Sequence, residues 1–166
     1  MAISMYQASV PVFQKMLQNL DGILGKAAAH AEARKIDPQV LLTARLYPDM
    51  YPFTRQVQIA TDHAKGGPAR LAGVEPPKLE DNEASFADLR ARVAKVQTFL
   101  ATLQPAQIDG SEERKIVLKF GPREFEFVGL PYLTHFVLPN FYFHYTTAYG
   151  ILRHNGVEIG KRDFVG

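Results

Sequence analysis

The chain has 166 residues, of which 46% are apolar and 22% charged; 19 basic and 17 acidic side chains leave a formal net charge of +2, and there is no cysteine. This length suits one domain over residues 1–166 with a core of its own. The balanced, interspersed charge lacks the basic footprint of a nucleic-acid binder. Without Cys there are no disulfides, no Cys-ligated zinc, no iron–sulfur cluster and no thiol nucleophile. Met1 to Gln7 has no basic segment ahead of an apolar one, so it does not read as a signal peptide. No stretch approaches the roughly 20 apolar residues of a membrane span. The expectation is a cytoplasmic protein with no membrane partner.

Residues 4–31 are predicted to form the first helix. Tyr6, Val10, Phe13, Leu17, Leu20, Leu24, Ala27 and Ala31 recur by threes and fours, and Met5, Val12, Met16 and Ile23 widen the stripe. A stripe this wide faces more than one neighbour, as in a bundle. Pro11 should kink this helix or mark its true start. Asp37-Pro38 opens one or two turns over 38–44, with Asp as cap and Pro in the first helical position. A second long helix runs from about Pro52 along Phe53, Val57, Ala60, Ala64 and Leu71; Gly66-Gly67-Pro68 should bend or end it. The third spans 85–104, with Ser85 and Asp88 as its capping pair. Residues 114–128 change to period two around Gly121-Pro122, which predicts a β-hairpin with Lys and Glu on its wet face. The fourth helix covers 131–154, bent at Pro139 and stopped by Asn155-Gly156. The tail from Val157 is expected on the surface. The fold class is therefore all-α, four long helices with a small hairpin between the third and fourth.

On a wheel of about 100° per residue, Leu133, Val137, Phe141, Ala148 and Ile151 fall within about 60° of His144. Asn140 and Thr147 share that face, so an apolar seam carries a polar trio, and burying such groups costs free energy unless they find partners. Two readings compete. His144 is either a core histidine satisfied by a facing helix, or part of a site, as metal ligand or general base. His63 flanks the apolar line of the second long helix, with Gln56 two turns earlier on the same side. His135 falls on the opposite face of the fourth helix; His30 and His154 sit at helix ends, where the dipole favours a cation. Asp62 points away from the apolar line, as a solvated residue would. Metal motifs such as His-x-x-x-His and Glu-x-x-His, a phosphate loop and a nucleophile elbow are all missing from the sequence.

Three stretches resemble a known family: Ser4-Met5-Tyr6-Gln7-Ala8-Ser9-Val10-Pro11; Ala44-Arg45-Leu46 with Pro48-Asp49-Met50 and Gln56-Val57-Gln58-Ile59-Ala60; and Pro139-Asn140-Phe141-Tyr142-Phe143-His144-Tyr145-Thr146-Thr147-Ala148-Tyr149, running on to Asn155-Gly156 and Gly160-Lys161-Arg162-Asp163. Together they resemble an uncharacterised bacterial family grouped with the DinB/YfiT-like bundles. The resemblance implies a DinB-like four-helix bundle, often a homodimer. It also implies a divalent metal, zinc or nickel, held in many relatives by one histidine of the second long helix and two of the fourth, one turn apart. Some of those relatives are thiol-dependent transferases or isomerases. Here His144 matches the fourth-helix region, Asn140 stands one turn before it where a second His would be needed, and His63 or Gln56 is what the second long helix offers. An amide is a poor replacement for imidazole on zinc or nickel. The expected function is a polar pocket of His144, Asn140, Thr147, His63 and Gln56 that binds a small molecule or is vestigial. The alternative is a metal-dependent enzyme of that group, with His144 and His63 on the metal.

Overall fold

The computed structural model describes residues 3–166, with Phe120 described through its backbone only; Met1 and Ala2 of the segment read above for a signal peptide lie outside it. Four helices of 15 residues or more are found among the described residues: α1 (Val10–Arg34), α3 (Phe53–Ala72), α4 (Phe86–Leu100) and α7 (Leu138–His154). Short helices α2 (Pro38–Leu42), α5 (Pro105–Ile108), α6 (Gly129–Pro131) and α8 (Lys161–Val165) join or follow them. Strands β1 (Lys115–Phe120) and β2 (Arg123–Val128) form one antiparallel hairpin. The protein is thus mostly helical with a small two-stranded sheet. α3 packs against α7 and α4, and α1 against α4 and α8. Phe13 of α1 meets Phe141 of α7 edge to face, ring centroids 5.0 Å apart, inside one apolar core fed by all four long helices.

The prolines act mostly as helix starters. Pro11 lies in the first turn of α1, so the helix begins at Val10 rather than residue 4; a missing N–H is harmless where no intrahelical acceptor exists. Asp37 Oδ1 accepts from Gln39 N–H at 2.9 Å, and Ser85 Oγ from Asp88 N–H at 3.1 Å, as the cap pattern predicts. Two expectations need correction. Of the two outcomes expected at Gly66-Gly67-Pro68, an end to the second long helix is excluded, because α3 runs unbroken to Ala72 and stops at Gly73, whose φ is +71°. The glycines are there for space: a Cβ on Gly67 would lie 2.5 Å from Val137 Cγ1. The fourth helix is not one α-helix over 131–154 either. A π-helical turn, Tyr132–Val137, precedes α7, and Pro139 then sits in the first turn of α7.

The hairpin follows the alternation. Ile116 and Leu118 are buried, while Lys115–Glu126 (2.6 Å) and Lys119–Glu124 (3.4 Å) pair on the wet face. Gly121 has φ +59°, which with the fixed φ of Pro122 suits the tight two-residue turn. The tail does not lie wholly on the surface. Val157 and Ile159 are buried, and Phe164 of α8 stacks on Tyr145 at 4.3 Å.

A further correction concerns charge. Arg92 points into the protein with its side chain 1% exposed. It pairs with Asp62 (2.7 Å), Glu83 (2.9 Å) and Asp81 (3.0 Å), and donates to Thr61 Oγ1 at 2.7 Å. Asp62 also takes Lys65 at 3.0 Å, and Asp81 takes Arg55 at 2.5 Å. Asp62 is therefore a member of an ion-pair network, not a merely solvated residue. The network fastens the loop between α3 and α4 onto both helices. Its logic is that a guanidinium is tolerable in an apolar interior only when its donors meet carboxylates and carbonyls.

Candidate functional site

Gln56, His63 and Arg70 stand seven residues apart on α3. At 3.6 residues per turn they form one line along the helix, each about 10 Å from the next. Across from this line run Tyr132 and Phe136 of the π-helical turn and His144 of α7. The two rows meet at three places. Gln56 Oε1 lies 2.7 Å from His144 Nδ1. The His63 ring stacks on the His144 ring at 6.3 Å with planes 10° apart, and meets Phe136 edge-on at 5.6 Å. Arg70 Nη1 donates to Tyr132 Oη at 3.3 Å.

The Gln56–His144 pair fixes proton positions. Gln56 Nε2 donates to the Tyr51 carbonyl at 3.1 Å, which only the NH₂ end of the amide can do. The other end is thus the oxygen facing His144, an acceptor only. His144 Nδ1 must be the donor, and Nε2 of the neutral ring keeps its lone pair. Burial pushes His144 below its ordinary 6.5, and the Arg55 guanidinium adds to this. His63 is pushed down to about 4, first by burial and then by His144, with Asp62 opposing and Arg70 reinforcing. Both rings are neutral at pH 7. No described residue hydrogen-bonds either ring nitrogen of His63.

The other residues singled out from the sequence take different places. Asn140 Nδ2 donates to Phe136 O and Thr147 Oγ1 to Phe143 O, both at 2.7 Å. Their donors serve their own helix, at the π-to-α junction and two turns after it. The buried stripe places Thr147 correctly, but the polar trio does not act as a unit. His135 and His154 are exposed and His30 half-buried, away from the seam. Missed from the sequence were Arg70, Tyr132 and Phe136. The seven-residue spacing of Gln56, His63 and Arg70 was the available signal for Arg70.

Two clefts open beside this seam. One of about 470 Å³ is lined by Pro122, Arg123, Phe125, Phe127 and Phe136, and so has the aromatic neighbour of His63 as its wall. The other, about 600 Å³, lies along α3 at Asp62, Lys65, Gly66 and Arg70.

The donor set does not suit a three-histidine metal centre. Two imidazoles are present, the Asn140 amide is turned to its own helix, and among the described residues no three His, Cys, Asp or Glu side chains cluster closely enough to hold an ion. The arrangement instead offers neutral imidazole nitrogens in a largely desolvated, aromatic setting.

The chain is mostly helical, with a hairpin before its last long helix. The sequence profile described as Domain of unknown function (DUF1993) matches residues 5–165, and the chain belongs to this family. It is also similar to a solved structure, a crystal structure of a DinB family member protein from Shewanella denitrificans. The two share 44% sequence identity at a TM-score of 0.88, over 97% of this chain and 91% of that one. No curated protein matches. The fold relationship is thus firm, and it carries no activity with it. Among the described residues no helix is long and apolar enough to cross a membrane.

Proposed function

We propose that this DinB-like bundle binds a small molecule at the seam between α3 and α7, with His144 as the proton acceptor that meets it. One observation carries the reading: Gln56 holds His144 as the Nδ1–H tautomer through a 2.7 Å contact, leaving Nε2 as a basic lone pair. Gln56 engages Nδ1 alone, so Nε2 is left to accept a hydrogen bond or a proton from a ligand. The depressed basicity of both imidazoles supports the same conclusion, since neutral rings accept hydrogen bonds from an uncharged donor. A ligand reaches His63 beside Phe136, which walls the 470 Å³ cleft and is in ring contact with His63. The metal-dependent transferase or isomerase alternative requires a third ligand, which the side chains around His63 and His144 do not offer.

The test is a fragment screen read on the imidazole ¹H–¹³C resonances of His63 and His144, in untagged protein. Fragments that move both resonances, and whose binding weakens in His144→Gln, support the reading. A screen with no such fragment, in a protein whose His144→Gln variant merely loses stability, leaves a vestigial structural histidine. Stoichiometric zinc or nickel in the untagged protein, lost in His144→Ala, would restore the metalloenzyme.

A further inference from the structure

The seam has a charged end that the Gln56–His144 pair does not use. Lys65 is paired with Asp62, Arg55 with Asp81, and Arg92 with three carboxylates. Arg70 differs from its neighbours, since among the described residues no carboxylate lies within 4 Å of its guanidinium, and its side-chain contact is the neutral Tyr132 hydroxyl at 3.3 Å. Five N–H donors facing one neutral acceptor leave a planar fork, the geometry that carboxylates fit in a bidentate way.

The backbone is cut to receive this side chain. A Cβ at Gly66 would lie 2.4 Å from Arg70 Nη1, so the guanidinium folds back over α3 into space that only a glycine leaves open. There it faces the 600 Å³ cleft. Asp62 and Asp81 of that cleft are engaged by Arg92, Lys65 and Arg55, and Glu75 lines the same cleft with Pro76 and Pro77. Between Arg70 and His63 the wall is aromatic: Tyr132, Phe127 and Phe136 are in mutual ring contact at 4.9–5.9 Å, and Phe136 touches His63.

The geometry points to a ligand of one class for this seam: a small amphiphilic carboxylate, its acid on Arg70 and its apolar or aromatic body against Phe136, reaching His63. This inference rests on the ligand-binding reading above. Arg70 and His63 are two helical turns apart, so the body must span about 10 Å. An uncharged molecule of the same shape would leave the guanidinium without its anion and so lose at least about tenfold in affinity.

The probes are 5-phenylvalerate and its neutral isostere 5-phenylvaleramide, each titrated into the full chain and followed by the His63 and His144 ring resonances and the Arg70 Nε–Hε signal. The acid is expected to bind at least tenfold more tightly than the amide and to shift Arg70 and His63 together. Arg70→Gln, which keeps a donor for Tyr132, should bring the ratio close to one. Gly66→Ala keeps the charge but displaces the guanidinium, and should do the same. His144→Gln should weaken acid and amide alike, so that both affinities fall and their ratio stays the same. Equal affinity for acid and amide, with His63 still responding, overturns the carboxylate preference and leaves the seam as a binding site. A ratio that survives Arg70→Gln also overturns it. If neither probe moves His63 or His144, both readings fall.

Discussion

His63→Gln should change how the protein tolerates acid. The His63 imidazole is held at about 4, below its ordinary 6.5. Between those values the unfolded chain binds the proton and the folded chain does not, so folding stability falls as the pH drops from 6.5 toward 4 and is fully present above 6.5. At about 1.4 kcal/mol per pH unit, most of this interval lies between pH 7.5 and 4.5, which puts the His63 contribution on the order of 2–3 kcal/mol. Asp88 and Asp163, both held below the ordinary carboxylate range by hydrogen bonds, lose their contributions at lower pH still and do so in both proteins. Urea unfolding of wild type and His63→Gln at the two pH values isolates the difference. The glutamine variant is expected to be the less stable at pH 7.5, through loss of the His144 stack and the Phe136 edge contact, and to close most of that gap at pH 4.5. Stability-against-pH curves that run parallel, within about 0.5 kcal/mol, would refute a buried neutral His63.

Gln56→Leu removes the acceptor of His144 Nδ1 and orphans the Tyr51 carbonyl. We expect a loss of about 1–2 kcal/mol and a mixed tautomer population, where wild type shows Nδ1–H alone in long-range ¹H–¹⁵N spectra. Arg92→Met leaves the Glu83 side chain, 7% exposed, with the Gln58 amide in place of its guanidinium. Its cost should fall near the low end of the 3–5 kcal/mol for a broken buried pair, since Asp62 and Asp81 are partly exposed, so about 3 kcal/mol by urea unfolding. Glu83→Gln in the same chain should recover part of it. Gly129→Ala places a Cβ 1.9 Å from the Ser111 carbonyl oxygen, which is backbone and cannot swing aside. It should cost about 3 kcal/mol and speed exchange of the Leu130 amide, now bonded to Glu112 O at 2.9 Å.

The helices were legible because their apolar stripes are long and their caps chemically plain, as at Asp37, Ser85 and Gly156. His144 was found by the same periodicity, since a polar residue centred on a buried stripe must have a partner, and that partner proved to be Gln56. Tyr132 and Phe136 were not legible. On a regular wheel they lie about 120° and 80° from His144, which assigns Tyr132 to another face. The π-helical turn unwinds this drift and carries both rings back toward α3. Nothing in single-residue propensity announces such a turn. Arg92 was hidden for a different reason: Glu83 and Asp81 come from the loop before α4, and Asp62 from α3, so its burial depends on tertiary partners that a helix wheel cannot weigh. The tail was misjudged because Val157, Ile159 and Phe164 are too few and too scattered to show a period.

The widened turn at Tyr132–Val137 holds one residue more than an α-helix needs. Removing one residue there would let the segment close into an ordinary α-helix, with each backbone N–H reaching one carbonyl nearer. The flanking segments would keep nearly the same orientation about the axis of α7, because the widened turn already absorbs the roughly 100° that one residue adds. Closing the turn at unchanged length would do the opposite: it would carry Tyr132 away from Arg70 and dismantle the charged end of the seam while leaving Gln56 and His144 in register. The fold can lose a residue here more easily than it can lose the widened turn.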